Sequence, residues 1–331
     1  MLTPDLKLNT KIFNDDVEQI PIRKGFGEGL AQAGETNKNI VALSADLTES
    51  TQMHFFKEKF PERFVEIGVA EQNLATVASG MAAMGKYPFF SSYAMFSPGR
   101  NWEQIRTTLA YNDRAAVIVG SHAGVSVGPD GGTHQAIEDI ALMRVVPRMM
   151  VLSPCDALQA KKMTLALAET PKLAYLRLAR EKTPIITTEA TPFELGKGQV
   201  LYRPEGLAHV AIIATGALVA YALRTAKDLE KKNIKALVVN IHTIKPLDTD
   251  LIVRVAREAK AVVTVEEHQI VGGLGGAIAE CLVQHVPTPI EFVGVHDQFG
   301  QSGTPAQLIE HYGMGRDGIA AAVVKVLERK K

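Results

Sequence analysis

The chain has 331 residues, with 36 basic and 36 acidic side chains and an apolar share of 46%. This is the size and balance of a globular protein of about two domains, able to bury real cores. Zero formal net charge argues against nucleic-acid or membrane-surface partners, which leave a basic excess. Cys155 and Cys281 lie far apart without metal-type spacing, which fits a reducing compartment. No apolar run reaches the roughly 18 residues of a membrane span, and the opening MLTPDLKLNT lacks a signal-peptide core, so a cytoplasmic location is expected.

Short β-branched runs alternate with helical patterns along almost the whole chain. Residues 39–46 (NIVALSAD), 115–122 (AAVIVGSH), 148–154 (RMMVLSP) and 173–180 (LAYLRLAR) read as buried strands ending in polar residues. GFGEGL (25–30) reads as the start of a helix packed closely on a neighbour, and 101–112 and 155–169 read as further helices. The alternation predicts a parallel sheet covered on both faces. Ligands of such sheets sit beyond the carboxyl ends of strands, where Asp46, His122 and Arg180 stand. Residues 183–206 carry three prolines and no clear period, which marks a domain boundary. Strands at 209–216, 235–243, 261–268 and 290–297 follow, with helices at 217–232, 249–259, 273–285 and 317–329. The expected architecture is α/β, with two doubly wound domains: residues 1–188 with a mainly parallel sheet, and 189–331 with a mixed one.

Two stretches raise chemical questions. In EIGVAEQNLATVASGMAAMG (66–85), Leu74, Val77, Ala78, Met81 and Ala82 recur at three- and four-residue steps, predicting an interior helix from Asn73 on. Glu71 sits at its first turn beside an apolar face. An unpaired carboxylate there costs several kcal/mol or is pushed to neutrality, so it needs a partner. In GSHAGVSVGPDGGTHQAIED (120–139), His122, Ser126, Asp130, Thr133, His134, Gln135 and Glu138 are strung on five glycines, which let backbone approach a ligand. Two histidines twelve residues apart with one aspartate between them form no recognisable metal set. Taken alone, the loop is equally a solvated turn with satisfied histidines. THQAIEDIAL is expected to open a helix with Thr133 as its N-cap.

LSADLTES (43–50), GVAEQN (68–73), SSYAMFSPGR (91–100) and GPDGGTHQ (128–135) occur in that order. Together they resemble the pyrimidine-binding domain of transketolases, and the second domain resembles the transketolase C-terminal domain. A complete transketolase begins with a diphosphate-binding domain whose Gly-Asp-Gly and downstream Asn hold Mg²⁺ and the tail of thiamine diphosphate. No GDG occurs here. The resemblance therefore implies the C-terminal subunit of a split transketolase of the pentose phosphate pathway. Thiamine diphosphate would be shared with a separate N-terminal subunit that binds the Mg²⁺. A 2:2 assembly follows from the family's dimer, and the chain alone could still form a homodimer.

Residue by residue, the resemblance makes Glu71 the buried glutamate that hydrogen-bonds N1′ of the cofactor's aminopyrimidine and so activates the thiazolium carbon. Tyr93 and Phe96 stand where the family places rings against the pyrimidine, and Asp46 matches a residue near the cofactor at the subunit interface. His122, Asp130 and His134 fall around the sugar hydroxyls and the reacting carbonyl, with the imidazoles as catalytic groups. Arg23, Ser50 and Arg180 match a clamp for the sugar phosphate, and Arg177 competes with Arg180 for that place. A small insertion near Ser97–Gly99 leaves Arg100 unaligned. Ala70 stands where the family has arginine, and Gln72 where it has histidine.

VEEHQIVGGLGGAIAE (265–280) does not fit the dinucleotide fingerprint in register, and Glu266, Glu267 and His268 are candidates to line an opening to the site. Two enzyme rivals share the glutamate: the β subunit of a thiamine-dependent 2-oxo-acid dehydrogenase component, and 1-deoxyxylulose-5-phosphate synthase. SADLTES and GPDGGTHQ tell against the first; the second is normally one long chain. A non-catalytic assembly homologue is opposed by Glu71, His122, Asp130 and His134 occurring together.

Overall fold

A computed structural model describes residues 1–330. Seven strands form the first sheet, in the spatial order Thr243–Lys245, Met150–Leu152, Leu173–Arg177, Ala116–Ser121, Tyr87–Tyr93, Ile40–Ser44 and Phe64–Glu66. All neighbours in it are parallel except Thr243–Lys245, which runs antiparallel to Met150–Leu152. The second sheet has five strands: Ile290–Val295, Val262–Gln269, Val210–Ala214, Ala236–Asn240 and Gln199–Tyr202. Only its last strand is antiparallel. The expected α/β class with two helix-covered sheets is borne out. Its cause is visible in the strands: Ile40–Ser44, Ala116–Ser121, Leu173–Arg177 and Val210–Ala214 are buried along their whole length, the mark of strands covered on both faces.

The two halves exchange pieces. Thr243–Lys245, from the second half of the chain, edges the first sheet. Leu2 bridges to Tyr202, and the Thr3 amide donates to the Leu201 carbonyl in the second. The proline-bearing stretch at 183–206 is not a free linker, because Lys182–Pro184 pairs with Gln19–Pro21 and Gln199–Tyr202 joins the second sheet. Its strands are too short to show a period.

Two helices set the depth of the first half. Helix Ile22–Thr36 lies on helix Ala157–Glu169, and a Cβ placed on Gly25 would come within 1.8 Å of the Ala157 carbonyl oxygen. GFGEGL thus lies inside the first of these helices, as expected, and lets the backbones touch. Helix Glu71–Ala83 begins two residues before the apolar pattern does, with Glu71 as its first residue.

The region after Asp130 differs from the expectation. No helix starts at Thr133; Asp139–Arg144 is the helix, and Val125–Asp130 forms short 3-10 turns interrupted at Gly128. Residues 133–138 are held out of helix by tertiary bonds. Ala136 bridges to Ala123, and the Gln135 side-chain amide donates to the carbonyls of Val125, Gly128 and Gln301.

Gly25→Ala is expected to destabilise the chain by about 1–3 kcal/mol, because backbone rather than a flexible side chain must give way. An unchanged urea midpoint would show that the two helices do not meet this closely.

Candidate functional site

Glu71 is 2% exposed. Its carboxylate accepts from Arg100 at 2.8 Å and from the Ser92 hydroxyl at 3.3 Å, while the Asn101 side-chain amide donates to its backbone carbonyl at 2.9 Å. Placing the acid on the first residue of a helix puts it at the positive end of the macrodipole. Its counter-charge comes from a very different setting: the Arg100 side chain is 50% exposed, and its guanidinium lies 5.1 Å from the centre of the Phe96 ring. The expected insertion near Ser97–Gly99 left Arg100 without an assigned place in the sequence. No sequence signal placed it on Glu71.

Rings gather beside this pair. Tyr93, at the end of strand Tyr87–Tyr93, stacks on His122 with centroids 3.9 Å apart and planes 23° from parallel. Phe96 is nearly parallel to Tyr93 at 6.5 Å, and His134 stands edge-on to Phe96 at 5.3 Å. His122 follows strand Ala116–Ser121 with φ of 56°, and Asp46 follows strand Ile40–Ser44 with φ of 59°. Left-handed backbone at non-glycine residues is uncommon and costs of order 1–3 kcal/mol. Here it turns the chain sharply off two strand ends.

His122 is buried, and burial, reinforced by the charges of Arg23 and Arg180, pushes its imidazole down to about 3. The ring is therefore neutral at neutral pH, with Nδ1 2.8 Å from the Ser121 hydroxyl. His134 is less enclosed, and its Nδ1 lies 3.0 Å from the Thr133 hydroxyl.

The basic groups meet on the same side. Arg23 Nε donates to the Arg180 carbonyl at 3.3 Å, and another of its nitrogens donates to the Ser50 carbonyl. Arg180 donates to the Val127 carbonyl and holds only loose ion pairs, with Asp130 at 3.6 Å and Glu181 at 3.7 Å. Burial lowers the Arg23 guanidinium from its ordinary value. Arg23, Ser50, Arg180 and Asp130 are thus brought together, and the arginines rest mainly on neutral carbonyls.

Arg177 has another place. It is buried, donates to Asp139 at 2.7 and 3.2 Å, and reaches the carbonyls of Ala136 and Glu267. Burial opposes the charge on Asp139, but the facing Arg177 outweighs it and holds the carboxyl below its usual range. Burial separates the two arginines: Arg177 is locked to Asp139, while Arg180 lies beside Arg23 and Asp130.

Asp46 stands apart from the ring cluster, exposed, with its amide donating to Glu66 at 2.7 Å. That Glu66 carboxylate also takes the Gly68 amide and the Thr48 hydroxyl, tying LSADLTES to GVAEQN. Glu66 was not singled out in the sequence, where it looks like any strand-end acid. Glu266, Glu267 and His268 do not line an opening beside the rings. They are buried: Glu266 accepts the Leu274 and Gly275 amides, and Glu267 accepts the Ser126 amide at 2.6 Å. The second half contributes instead through Gly300–Gly303, which lies directly on Gly128, Gly131, Gly132 and Gln135. A cavity of about 330 Å³ opens between Gln19, Ser126, Thr183, Leu218, Glu267 and Ile309; of the residues singled out in the sequence, Ser126 and Glu267 line it, while Glu71, His122, His134 and Arg180 do not.

Residues 18–185 match the family model for the transketolase pyrimidine-binding domain, and residues 198–319 match that for the transketolase C-terminal domain. The chain belongs to the transketolase family. A Methanocaldococcus jannaschii protein described as a transketolase C-terminal section is 42% identical over 93% of this chain and 97% of its own length. A 6-deoxy-6-sulfo-D-fructose transketolase subunit of a Clostridium species is 38% identical over 96% of this chain and 98% of its own. Human transketolase is 35% identical, and this chain covers 92% of itself but 49% of that protein. A solved structure described as a split gene transketolase, inactive beta4 tetramer, superposes with a TM-score of 0.87 at 43% identity, over 94% of this chain and all of that one.

The transketolase family implies thiamine diphosphate. The residues present fit its aminopyrimidine end: a buried carboxylate is linked through a half-exposed arginine to the Phe96 ring, and among the described residues that arginine is its one ion-pair partner.

The His122 pKa carries a consequence for stability. Its folded value of about 3 lies below the ordinary 6.5, so between these values the unfolded chain takes up a proton that the folded chain refuses. Stability is expected to fall as pH drops through that window, by up to about 1.4 kcal/mol per pH unit for this one group. His122→Gln should flatten the slope of urea-unfolding free energy between pH 6 and 4.5. Buried His242, pushed down to about 4, contributes in the same direction to the slope that remains. An unaltered slope in the variant would show that His122 titrates normally.

Proposed function

We propose that this chain is the C-terminal subunit of a split transketolase. With a separate N-terminal, diphosphate-binding subunit it transfers a two-carbon ketol unit from a ketose phosphate to an aldose phosphate. The observation that carries the reading is the buried Glu71 carboxylate, set beside Phe96 and within one cluster with His122 and His134. The relatives described as a C-terminal section and as a subunit, matched almost end to end, support a two-chain enzyme. The division near residue 188, with the pyrimidine-binding part before it, belongs to the same proposal.

Thiamine diphosphate, when bound, would supply a nucleophilic carbon for the ketose's carbonyl carbon and take up the electron pair left when the bond from that carbon to the next one breaks. The chain's own residues do the rest. Glu71 binds N1′ of the aminopyrimidine, and exclusion of water makes that charge-assisted bond strong. Tyr93 and Phe96 hold the ring by its faces, and Asp46 lies at the subunit contact. Neutral His122 offers one nitrogen to a substrate hydroxyl. His134, less enclosed, holds or returns the proton on the substrate's carbonyl oxygen. Asp130 reads a neighbouring hydroxyl.

Arg23 and Arg180, resting on neutral carbonyls, exchange those bonds for an oxyanion, with Ser50 beside them. A dianionic phosphate suits two guanidinium groups, and such contacts far from the reacting bond hold the substrate in line. Relatives whose names specify a sulfofructose and apulose 4-phosphate keep the anion but differ in the sugar.

The reading is tested by mixing the chain with its partner subunit and comparing xylulose 5-phosphate plus ribose 5-phosphate with pyruvate plus lipoamide. Turnover of the sugar pair alone is expected; turnover of the second pair alone would replace transketolase by an acyl-transferring enzyme. Glu71→Gln should reduce turnover about 100-fold or more with assembly intact, and an active variant would remove Glu71 from the chemistry. Arg180→Ala should raise KM roughly 10- to 100-fold for phosphorylated acceptors, the worth of a charged hydrogen bond. Equal effects on unphosphorylated aldehydes would discard the clamp.

A further inference from the structure

We propose that Arg100 is an internal stand-in for the cofactor's aminopyrimidine: it satisfies Glu71 in the cofactor-free subunit and must be displaced for the cofactor to bind. The proposal rests on the reading of Glu71 given above and adds a competitor to it.

Glu71 has nowhere to go. At 2% exposure its carboxylate cannot turn to water, and the Ser92 hydroxyl at 3.3 Å is a poor substitute for a cation. A buried carboxylate without a counter-charge is among the costliest groups a fold can carry. Arg100 meets that need, yet it is itself half in solvent. Leaving the site therefore rehydrates a group that is already half hydrated. The pair is asymmetric: one member is fixed and the other is free to depart.

The place Arg100 occupies points to what it stands in for. Its guanidinium is flat, donates a hydrogen bond to the carboxylate at 2.8 Å, and lies over the Phe96 ring at 5.1 Å. A protonated or imino aminopyrimidine is also flat, also donates to a carboxylate, and also packs on an aromatic face. Both cannot hold the same carboxylate oxygen and the same ring at once.

The backbone around Arg100 is pinned on the following side. Asn101 donates to the Glu71 carbonyl and to the Ser97 hydroxyl, and the Trp102 indole donates to the Leu142 carbonyl at 2.8 Å. Displacement is thus a side-chain motion that leaves the segment in place. The consequence is linkage: every bound cofactor has first broken this ion pair, and its apparent affinity is lowered by the fraction of molecules in which the pair is closed.

Calorimetric titration of the assembled complex with thiamine diphosphate tests this. Arg100→Gln should bind about tenfold more tightly than wild type. Equal or weaker binding overturns the proposal, since Arg100 would then be a bystander or a cofactor contact. If Arg100→Gln fails to fold, Arg100→Lys serves. Its ammonium makes a point contact in place of a planar fork, so several-fold tightening is expected, and equal or weaker binding again overturns the proposal.

In the chain alone, Arg100→Gln should lower Tm, and adding Glu71→Gln should restore part of the loss. Two additive effects would show that the pair is not formed and would also overturn the proposal. A wild-type complex that turns over sugar phosphates without binding thiamine diphosphate would sink the function itself, whichever way the arginine variants behave.

Discussion

Arg177 donates to both oxygens of the Asp139 carboxylate and to the carbonyls of Ala136 and Glu267, and the end of the loop that follows His122 hangs from these bonds. Strand Leu173–Arg177 lies beside strand Ala116–Ser121, from which His122 departs. Asp139 begins the helix that ends the glycine-rich loop, and Glu267 belongs to the central region of the second sheet. One buried guanidinium therefore fixes the loop from His122 to Glu138 against both halves of the molecule. Such a pair is a weak source of net stability, because two charges have lost their water. Its value lies in geometry: carboxylate, phenol and carbonyls have one arrangement that satisfies them all, with the Tyr175 hydroxyl completing Asp139 at 2.7 Å. Breaking it would strand a charge and release the loop together.

The glycines of that loop answer a matching constraint from the other side. Gly300–Gly303 presses on Gly128, Gly131 and Gly132, leaving no room for a Cβ at Gly132, where the Gly300 carbonyl oxygen would lie 2.6 Å away. Gln135 then ties three carbonyls, two from the loop and one from Gln301. The second half, silent in catalytic motifs, is the floor on which the glycine-rich loop rests. That role needs small residues and backbone, and neither leaves a chemical signature in a sequence.

This explains what could and could not be read beforehand. The alternation of strands and helices was legible because buried strands must be continuously apolar and their helices amphipathic. Glu71 was legible because a carboxylate directly before a run of small apolar residues conflicts with its surroundings. Arg100 was not, since its bond to Glu71 joins residues 29 positions apart and depends on reach across the fold. The helix expected from Thr133 failed because local propensity was overridden by Gln135 and the Ala123–Ala136 bridge. Glu266 and His268, expected at an opening and found buried, were misplaced for a related reason. Charged residues at a strand end look solvated until one sees which backbone amides they accept.

The charges of the site are held in an unbalanced but provisional state. His122 is kept neutral by burial and by two nearby cations, so it can exchange hydrogen bonds without itself carrying charge. Arg23 and Arg180 rest on carbonyl oxygens and on carboxylates beyond 3.5 Å, which an oxyanion outcompetes. Glu71 rests on an arginine that water already half surrounds. Each group is thus satisfied well enough to fold, and by partners weaker than the ones its chemistry would bring. On the proposed function, a chain that folds before its cofactor arrives has to solve this problem, because an unsatisfied buried carboxylate would tax folding, while a perfectly satisfied one would refuse the ligand. Half-exposed and neutral partners lie between those limits, which is where all the exchangeable contacts of this site are found.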